Sequence, residues 1–449
     1  MCDKVNANLC IYFVVCAFTL AIDLSEGVGE FVESGMEIMT GFLCDLVRCR
    51  LEEMDDFIFE NSEARKDWKV VQKGRKRSIL TKAGEVTYRR RYYENKEIGL
   101  KACLVDALAG IEKFSKIETE YALELIKKAA EMSYEKAGNS RDVAPVSKTA
   151  VMNKTRQAED YRLPVEECNL SVKCVHIQAD EDHVHMADGT SAIAKIAVIY
   201  SEKKAVNRTR NLLVDKRICT SFGENNTDFW YRIQDAIHEK YGVRDDLKVY
   251  IHGDGANWIK TGLQVIPNSE PVLDAFHLKR ELNGMCGGKY GGTLCDLISA
   301  NEFRQIRILL DTLAAGGETT EQNAKDLYRY LAQNRQGAVN AFKPGIGGSC
   351  AEGLVSHNLS ERFSRKPCGW GKKGLSTILD LRTFFLNNGK LSPENMIHSD
   401  EVVVDIESMR REYHVKCFYE PEHNVNITAL TPDAHKLTWL KKLARTCVL

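Results

Sequence analysis

No CxxC pair, no HExxH helix and no apolar run of membrane-spanning length occurs in these 449 residues, and each lack removes a class of function. Cysteine itself is not scarce: there are fifteen, an odd number, scattered from Cys2 to Cys447 without regular spacing. That pattern argues against a disulfide framework or a zinc ribbon and suits a reducing cytoplasm. The apolar run from Leu9 to Ile22 falls short of the roughly 20 residues that span a bilayer. It is also a poor secretion signal, because Asp3 cancels the only preceding cation, Lys4, and no A-x-A-like site follows before DLSEGVGEFVES. A buried or irregular N-terminal helix is the expectation there. Net charge is nearly absent too, at -1, but the balance is uneven: Arg65 to Lys101 holds thirteen Lys or Arg against four Asp or Glu. A nucleic-acid partner fits that segment better than the chain as a whole.

With 44% hydrophobic and 28% charged residues, the chain is globular and long enough for two to four domains. Residues 29 to 60 read as helix, with Phe31, Met36, Met39, Phe42, Leu43 and Leu46 at helical spacing. Next, KAGE makes a turn and VTYRRRYY alternates as a hairpin should, with Val86, Tyr88, Arg90 and Tyr92 on one face and Thr87, Arg89, Arg91 and Tyr93 on the other. Aromatics interleaved with Arg75, Lys76, Arg77, Arg89, Arg90 and Arg91 suggest a phosphate-contacting ribbon, against the alternative of a solvated basic face. One or two amphipathic helices follow over 100 to 137. After the Gly-Asn-Ser break at 138 to 140, Ser147 is a candidate N-cap for a helix of helix-turn-helix type, with Lys148, Asn153, Lys154 and Arg156 outward.

From Val172 the texture changes. VKCVHIQA, AIAKIAVIY and RNLLVDKR read as strands, TDFWYRIQDAIHEKY as a helix, LKVYIHGD and PVLDAF as further strands, and a helix begins near His277. NEFRQIRILLDTLAA and EQNAKDLYRYLAQNR are strongly helical and interrupt the order as an insertion. The expected fold class is α/β: a ribonuclease H-like mixed sheet with an all-helical insertion, preceded by a helical and hairpin DNA-binding region. The expected divisions are 1–64, 65–165, 170–278, 279–345, 346–400 and a C-terminal extension at 401–449.

Three acids fall where such a sheet would need them: Asp180 ending the first strand, Asp254 just after VYIHG, and Glu352 opening a helical turn after a glycine loop. Carboxylates suit hard divalent cations, Mg²⁺ or Mn²⁺, and a pair of such ions about 4 Å apart can activate water and stabilise a leaving oxygen in phosphodiester chemistry. Taken singly, an aspartate at a strand end is more often a cap than a ligand; joint placement raises the estimate. Asp182 competes with Asp180 for the first position. His277 and His357 could contact phosphate or the substrate strand, or be satisfied by backbone. A zinc site on His183 and His185 lacks completing ligands. Arg362 and Arg365, with Lys366, Lys372, Lys373 and Trp370, follow the third acid and would track DNA.

The chain resembles the bacterial insertion-sequence transposases of the ISLre-two type, which are distantly similar to Mutator-like transposases. The resemblance runs from about residue 35 to 400 and is carried by SILTKAGEVTYRRRYY, QADEDHV, HGDGANWIK, LDAFHLKREL, and AEGLVSH followed by LSERFSRKPCGWG. It implies a DDE transposase with Asp180, Asp254 and Glu352 as its acidic triad, a helical region inserted before the glutamate, and cleavage and strand transfer at the ends of a mobile element. It also implies double-stranded DNA, both element ends and target, as partner, and a homo-oligomer on that DNA, cytoplasmic and without membrane contact. The N-terminal apolar run departs from the polar helix of that group; a misplaced start codon or a decayed copy would produce such a departure. Two other readings stand beside it: a domesticated or inactive DNA-binding protein that keeps the fold, and a metal-dependent nuclease without strand transfer.

Overall fold

The computed structural model describes residues 27–62, 65–141, 144–207, 211–284, 288–346, 351–365 and 369–396, with 411 and 413; the side chains of 351 and 352 are not included. The apolar run at Leu9 to Ile22 and nearly all of the C-terminal extension lie outside the described residues, and no described helix is long and apolar enough to cross a membrane. Two compact units emerge, one built from Met1–Ile126, Tyr134–Glu159 and Ser392–Leu449, the other from Lys127–Ser133 and Asp160–Leu391.

In the first unit the helical spacing of residues 29 to 60 becomes α1, Val28–Glu60. Its C-terminal half packs Leu51, Phe57 and Ile58 into a core shared with Trp68, Ile79, Val86, Tyr88 and Tyr93 of a long hairpin. That hairpin is β1, Trp68–Thr81, and β2, Gly84–Asn95. KAGE does make its turn: Thr81 Oγ1 accepts from Ala83 N–H and donates to Gly84 C=O, and Gly84 takes φ 132°, open to glycine. Only two residues of β3, Lys101–Ala102, pair on the far side of β2. Carboxylates of α1 occupy part of the remaining edge, Glu52 accepting from Arg89 N–H and Asp55 from Arg91 N–H. Such capping blocks further strand addition. Short helices follow, α2 at Leu104–Leu108, α3 at Thr119–Glu131, α4 at Tyr134–Gly138 and α5 at Lys148–Thr155. Ser147 caps α5 by accepting from Ala150 N–H.

The second unit is organised by a five-stranded mixed sheet. Its strands are β4, Cys174–His185; β5, Ser191–Tyr200; β8, Arg217–Phe222; β9, Lys248–Gly253; and β10, Ser269–Leu273, in the spatial order β10-β9-β4-β5-β8. β10, β9 and β4 run parallel, whereas β4, β5 and β8 are antiparallel. The third strand is RICTSF, not RNLLVDKR. Asn211–Val214 (β7) instead pairs with Glu202–Ala205 (β6) as a separate two-stranded ribbon, because its exposed, short alternation has no face to bury. One sheet face, with Val175, Ile177, Ala179, Val249 and Ile251, is covered by α6, Asn226–Tyr241, and α7, Asn257–Val265. Packing there is close enough to require a glycine: a Cβ at 262 would meet the Trp230 indole at 2.6 Å.

Beyond β10 the described chain is helical, as the 279–345 patterning suggests: α8 Ala275–Gly284, α9 Gly291–Ser299, α10 Phe303–Ala315, α11 Glu321–Gln333 and α12 Arg335–Asn340. These helices bury their own cluster, including Leu278, Leu294, Ile306, Leu310 and Leu331. The chain then returns as α13, Ala351–Val355, which packs against β4, a π-helical turn at Ser356–Ser360, α14 at Glu361–Phe363, and α15 at Lys372–Leu386.

Candidate active site

Strand register decides which acids meet. The last paired residues of β4 and β9 are Gln178 and His252, so Asp180 and Asp254 each lie two residues further along adjacent parallel strands. Leu273 pairs with Gly253, and Asp274 N–H donates to Gly253 C=O at 2.8 Å, so Asp274 stands at the same rim on the next strand. Asp254 and Asp274 therefore follow the last residues of β9 and β10, whereas Asp180 does not end its strand as expected: β4 runs on to His185 along β5, with Asp180 opposite Ile196, and Asp180 stands where β4 passes beyond its pairing with β9.

Their environments differ. Asp254 is exposed; its Oδ1 accepts from Ala256 N–H at 2.8 Å. Asp180 is partly buried and accepts from Glu181 N–H at 2.8 Å. Burial pushes its carboxyl up to about 6, the charges of Asp254 and Asp274 add to that, and the Glu181 N–H and the nearby His277 oppose it. Asp274 is 2% exposed and caps α8, with Oδ1 accepting from Phe276 and His277 N–H. The same oxygen lies 3.4 Å from His277 Nδ1. That close carboxylate, with the charge of Asp180, raises the imidazole above its ordinary value despite partial burial, although the approach falls short of hydrogen-bond geometry. The sequence reading gave Asp274 no role. LDAFH did hold the signal, an aspartate directly before a helix start.

The two glycines of HGDG are required by packing. A Cβ at 253 would meet Ile259 Cδ1 at 2.5 Å, and Gly255 takes φ 90° with the Asn334 amide 2.9 Å from where a Cβ would sit. Tyr330 Oη donates to Asp254 C=O at 3.0 Å, so α11 also holds this loop.

Asp182 has a different task from Asp180. It accepts from Ser364 Oγ at 3.1 Å, tying β4 to the segment after α14; burial raises its carboxyl while serine hydroxyls at 364 and 360 pull it down. Glu352 lies in α13, the helix packed against β4, and its side chain is outside the described residues. The π-helical turn after it frees carbonyls from the α pattern, and the buried Arg382 donates to two of them, His357 C=O and Asn358 C=O. His357 is exposed. Among the described residues no three metal-ligating side chains cluster.

The expected DNA contacts divide sharply. Arg75, Lys76, Arg89, Lys148, Arg156 and Arg365 are exposed. The expectation that the other basic residues face outward does not hold. Arg77 donates to Asp106 Oδ2 at 2.8 Å and to the carbonyls of Glu112 and Ser115, and Arg90 pairs with the same carboxylate. Arg91 is held by Asp55 and Asp56, each at 2.7 Å, with Phe59 beneath its guanidinium. Lys154 is buried 3.5 Å from Glu112. Arg362 is buried, donating to Ala129 C=O and stacking on Trp370. Alternation located the hairpin faces only as far as Arg89: Tyr93, expected opposite Val86 and Tyr88, is buried in the same core as they are, and a small unit with acids such as Asp106 inside it needs cations there as well.

Comparison with known proteins places the chain among relatives from one bacterium, Caldanaerobacter subterraneus subsp. tengcongensis. It is 31% identical to the UPF0236 protein TTE2489 over 397 residues, which cover 85% of this chain and 86% of that protein. A second relative, a UPF0236 protein whose name joins eleven loci from TTE0033 to TTE2212, is 31% identical over 77% of this chain and 75% of its own length. A third, named for TTE0610, TTE0881, TTE1053 and TTE2432, is 32% identical over 76% and 74%. A family model described as an uncharacterised protein family matches residues 27–399, and the chain belongs to that family, UPF0236.

Proposed function

We propose that this chain is a DDE-type DNA transposase: it binds the ends of a mobile element and catalyses metal-dependent cleavage and strand transfer. The observation that carries the reading is that Asp180 and Asp254 each lie two residues beyond the last paired residues of the adjacent parallel strands β4 and β9, with no lysine or arginine paired to either among the described residues, while the helix bearing Glu352 packs on the same β4. The strand order β10-β9-β4-β5-β8 and the helical stretch before Glu352 support a ribonuclease H-like core with an insertion. A relative whose single name spans eleven loci of one genome supports a gene that copies itself.

The donor set fits a hard divalent cation. Asp180 and Asp254 offer carboxylate oxygens, and the mutual repulsion and burial that raise Asp180 are what a bound cation would relieve. Mg²⁺ or Mn²⁺ held there would activate water or a DNA 3′ hydroxyl and stabilise the departing oxygen. The protein's own part is to orient Asp180 from within β4 and Asp254 from the end of β9, to fix the Asp254 loop through Tyr330, and to hold His277 against Asp274 at the same rim. Glu352 would complete the set from its helix.

Duplex DNA would be gripped elsewhere, by Arg75, Lys76 and Arg89 on the hairpin and Lys148 and Arg156 at α5. Lys76 and Arg89 are directly opposite each other in the β1–β2 register and both exposed. Like charges in that position destabilise a sheet, and a phosphate between them reverses the sign. We place the protein in the cytoplasm as an oligomer on DNA. The test is Glu352→Gln, assayed on a plasmid carrying the inverted repeats that flank the gene. Excision should vanish while end binding persists, and undiminished excision rejects the assignment. Joining of cut ends to a second duplex separates a transposase from a nuclease.

A further inference from the structure

A cavity of about 310 Å³ opens beside the Asp254 loop, between β10, α7 and α12, and the site described above makes no use of it. Its volume is at the lower end of the range, about 300–1,000 Å³, in which small ligands bind. Ile251, Ile259, Leu263, Val272 and Leu273 give it an apolar floor. Its polar lining is carboxamide and cation: Gln264, Gln333, Asn334 and Gln336, with Lys260 and with Arg335, whose guanidinium donates to Asn301. The side chains of Lys260, Gln264 and Gln333 have no hydrogen bond or ion pair among the described residues, whereas Asn334 and Gln336 are already engaged with Tyr330 C=O and Asn340. Gly253 and Gly255, which flank Asp254, form one wall.

An apolar cavity with two unengaged amides in its lining suits a flat heteroaromatic ring whose faces are apolar and whose edge carries both donors and acceptors, because a carboxamide supplies one of each in a plane. The ammonium suits the attached phosphate. Position narrows this further, since the cavity begins at the residues on either side of a carboxylate expected to face the scissile phosphate. We propose that this cavity receives one nucleobase, unstacked from the DNA strand next to the phosphate being cut. Extruding a base costs stacking and pairing, offset by burial in such a cavity. Holding one neighbouring base there would fix the register of the strand against Asp180 and Asp254.

The inference rests on the proposed function for its strand, but the slot itself can be tested without turnover. Full-length protein is mixed in turn with dAMP, dGMP, dCMP and dTMP, and saturation transfer to the base protons is read by NMR. At least one should show transfer to the base, lost in Leu263→Trp, which fills the slot, and reduced several-fold in Gln264→Ala with Gln333→Ala, surface changes that leave the floor intact. No transfer from any nucleotide, or transfer unchanged in both variants, overturns the proposal. Element-end duplexes carrying 2-aminopurine at each position around the cut, bound with Ca²⁺ in place of Mg²⁺, then give the second reading. Emission should rise several-fold at one position and return to the duplex level in the same variants. Nucleotides bound without any cutting of element ends would remove the transposase reading and keep the slot, whereas cutting without nucleotide binding or an emission rise would do the reverse.

Discussion

Buried or half-buried carboxylates occur in both units, and they are treated in opposite ways. Asp106, inside the hairpin unit, is surrounded by donors: Arg77, Arg90 and the Tyr88 hydroxyl, 2.5 Å away, all converge on it. Asp180, at the rim of the mixed sheet, has two other aspartates as its electrostatic neighbours, opposed by the Glu181 N–H and by His277. A charge fully paired inside the protein is architecture, since its solvation has been replaced by internal partners. Acids crowded together without cations are in an unfinished environment, and the missing positive charge must come from something that binds. The same contrast sorts the arginines. Arg77, Arg90 and Arg91 are consumed by internal acids, while Arg75, Lys76 and Arg89 keep their charge for an outside partner.

The sharpest way to break that contrast is to remove Asp106. Asp106→Ala leaves two buried guanidiniums without their anion, and loss of one partner of a buried ion pair costs roughly 3–5 kcal/mol. Urea unfolding should register that loss. Asp254→Ala, at an exposed loop, should change the unfolding free energy by less than about 0.5 kcal/mol and still abolish excision. Comparable destabilisation by the two changes would mean that the division between structural and functional acids is wrong.

Second in size is the pH response at Asp180. Its folded value near 6 lies above the unfolded value of about 3.9, so the native state binds the extra proton more tightly between those limits. The stabilisation from that proton is complete below about pH 4 and lost as pH rises through 6. Without divalent cations, Asp180→Asn should therefore match the wild type at pH 4 and exceed it at pH 7 by roughly 1–3 kcal/mol. Millimolar Mg²⁺ should close the gap by stabilising only the wild type. A variant less stable than the wild type at pH 7 in EDTA would show that the acid is structural, like Asp106.

Periodicity made the elements legible where one face is buried. The alternation of VYIHG, the helical spacing of TDFWYRIQDAIHEKY and the turn in KAGE all have direct counterparts, because each pattern reflects a core that exists. RNLLVDKR misled because a short apolar run reads as a sheet strand whether or not a sheet is beside it, and RICTSF, with arginine first, hid a strand buried along nearly its whole length. At the site, Asp254 was legible as a strand-end acid, whereas Asp180, read as one, lies inside β4, which continues to His185 along β5. Asp274 was not legible, because an aspartate before a helix already has an ordinary explanation as a cap, and only the parallel register of β10 on β9 brings it to the same rim. The fate of each arginine was equally hidden, for a partner such as Asp106, 29 positions from Arg77, leaves no local trace.

The smallest effect should come from the exposed basic pair. Arg89→Ala removes one of two like charges facing each other across the hairpin, so free-protein stability should stay level or rise by a few tenths of a kcal/mol. DNA binding should change differently. Each phosphate contact contributes about 0.9 to the slope of log affinity against log salt, so loss of this arginine should flatten the slope by about that amount and weaken binding to all duplex sequences alike. Arg77→Ala is the matched control, because that side chain is spent on Asp106 and two carbonyls. It should destabilise the unit by several kcal/mol and, at temperatures where the variant is still folded, leave the salt slope unchanged. Fluorescence anisotropy on labelled duplex from 50 to 200 mM salt (about a thousandfold range in affinity for six contacts) resolves the two. Equal slopes for Arg89→Ala and wild type would remove the hairpin face from the DNA interface and leave Lys148 and Arg156 to carry it.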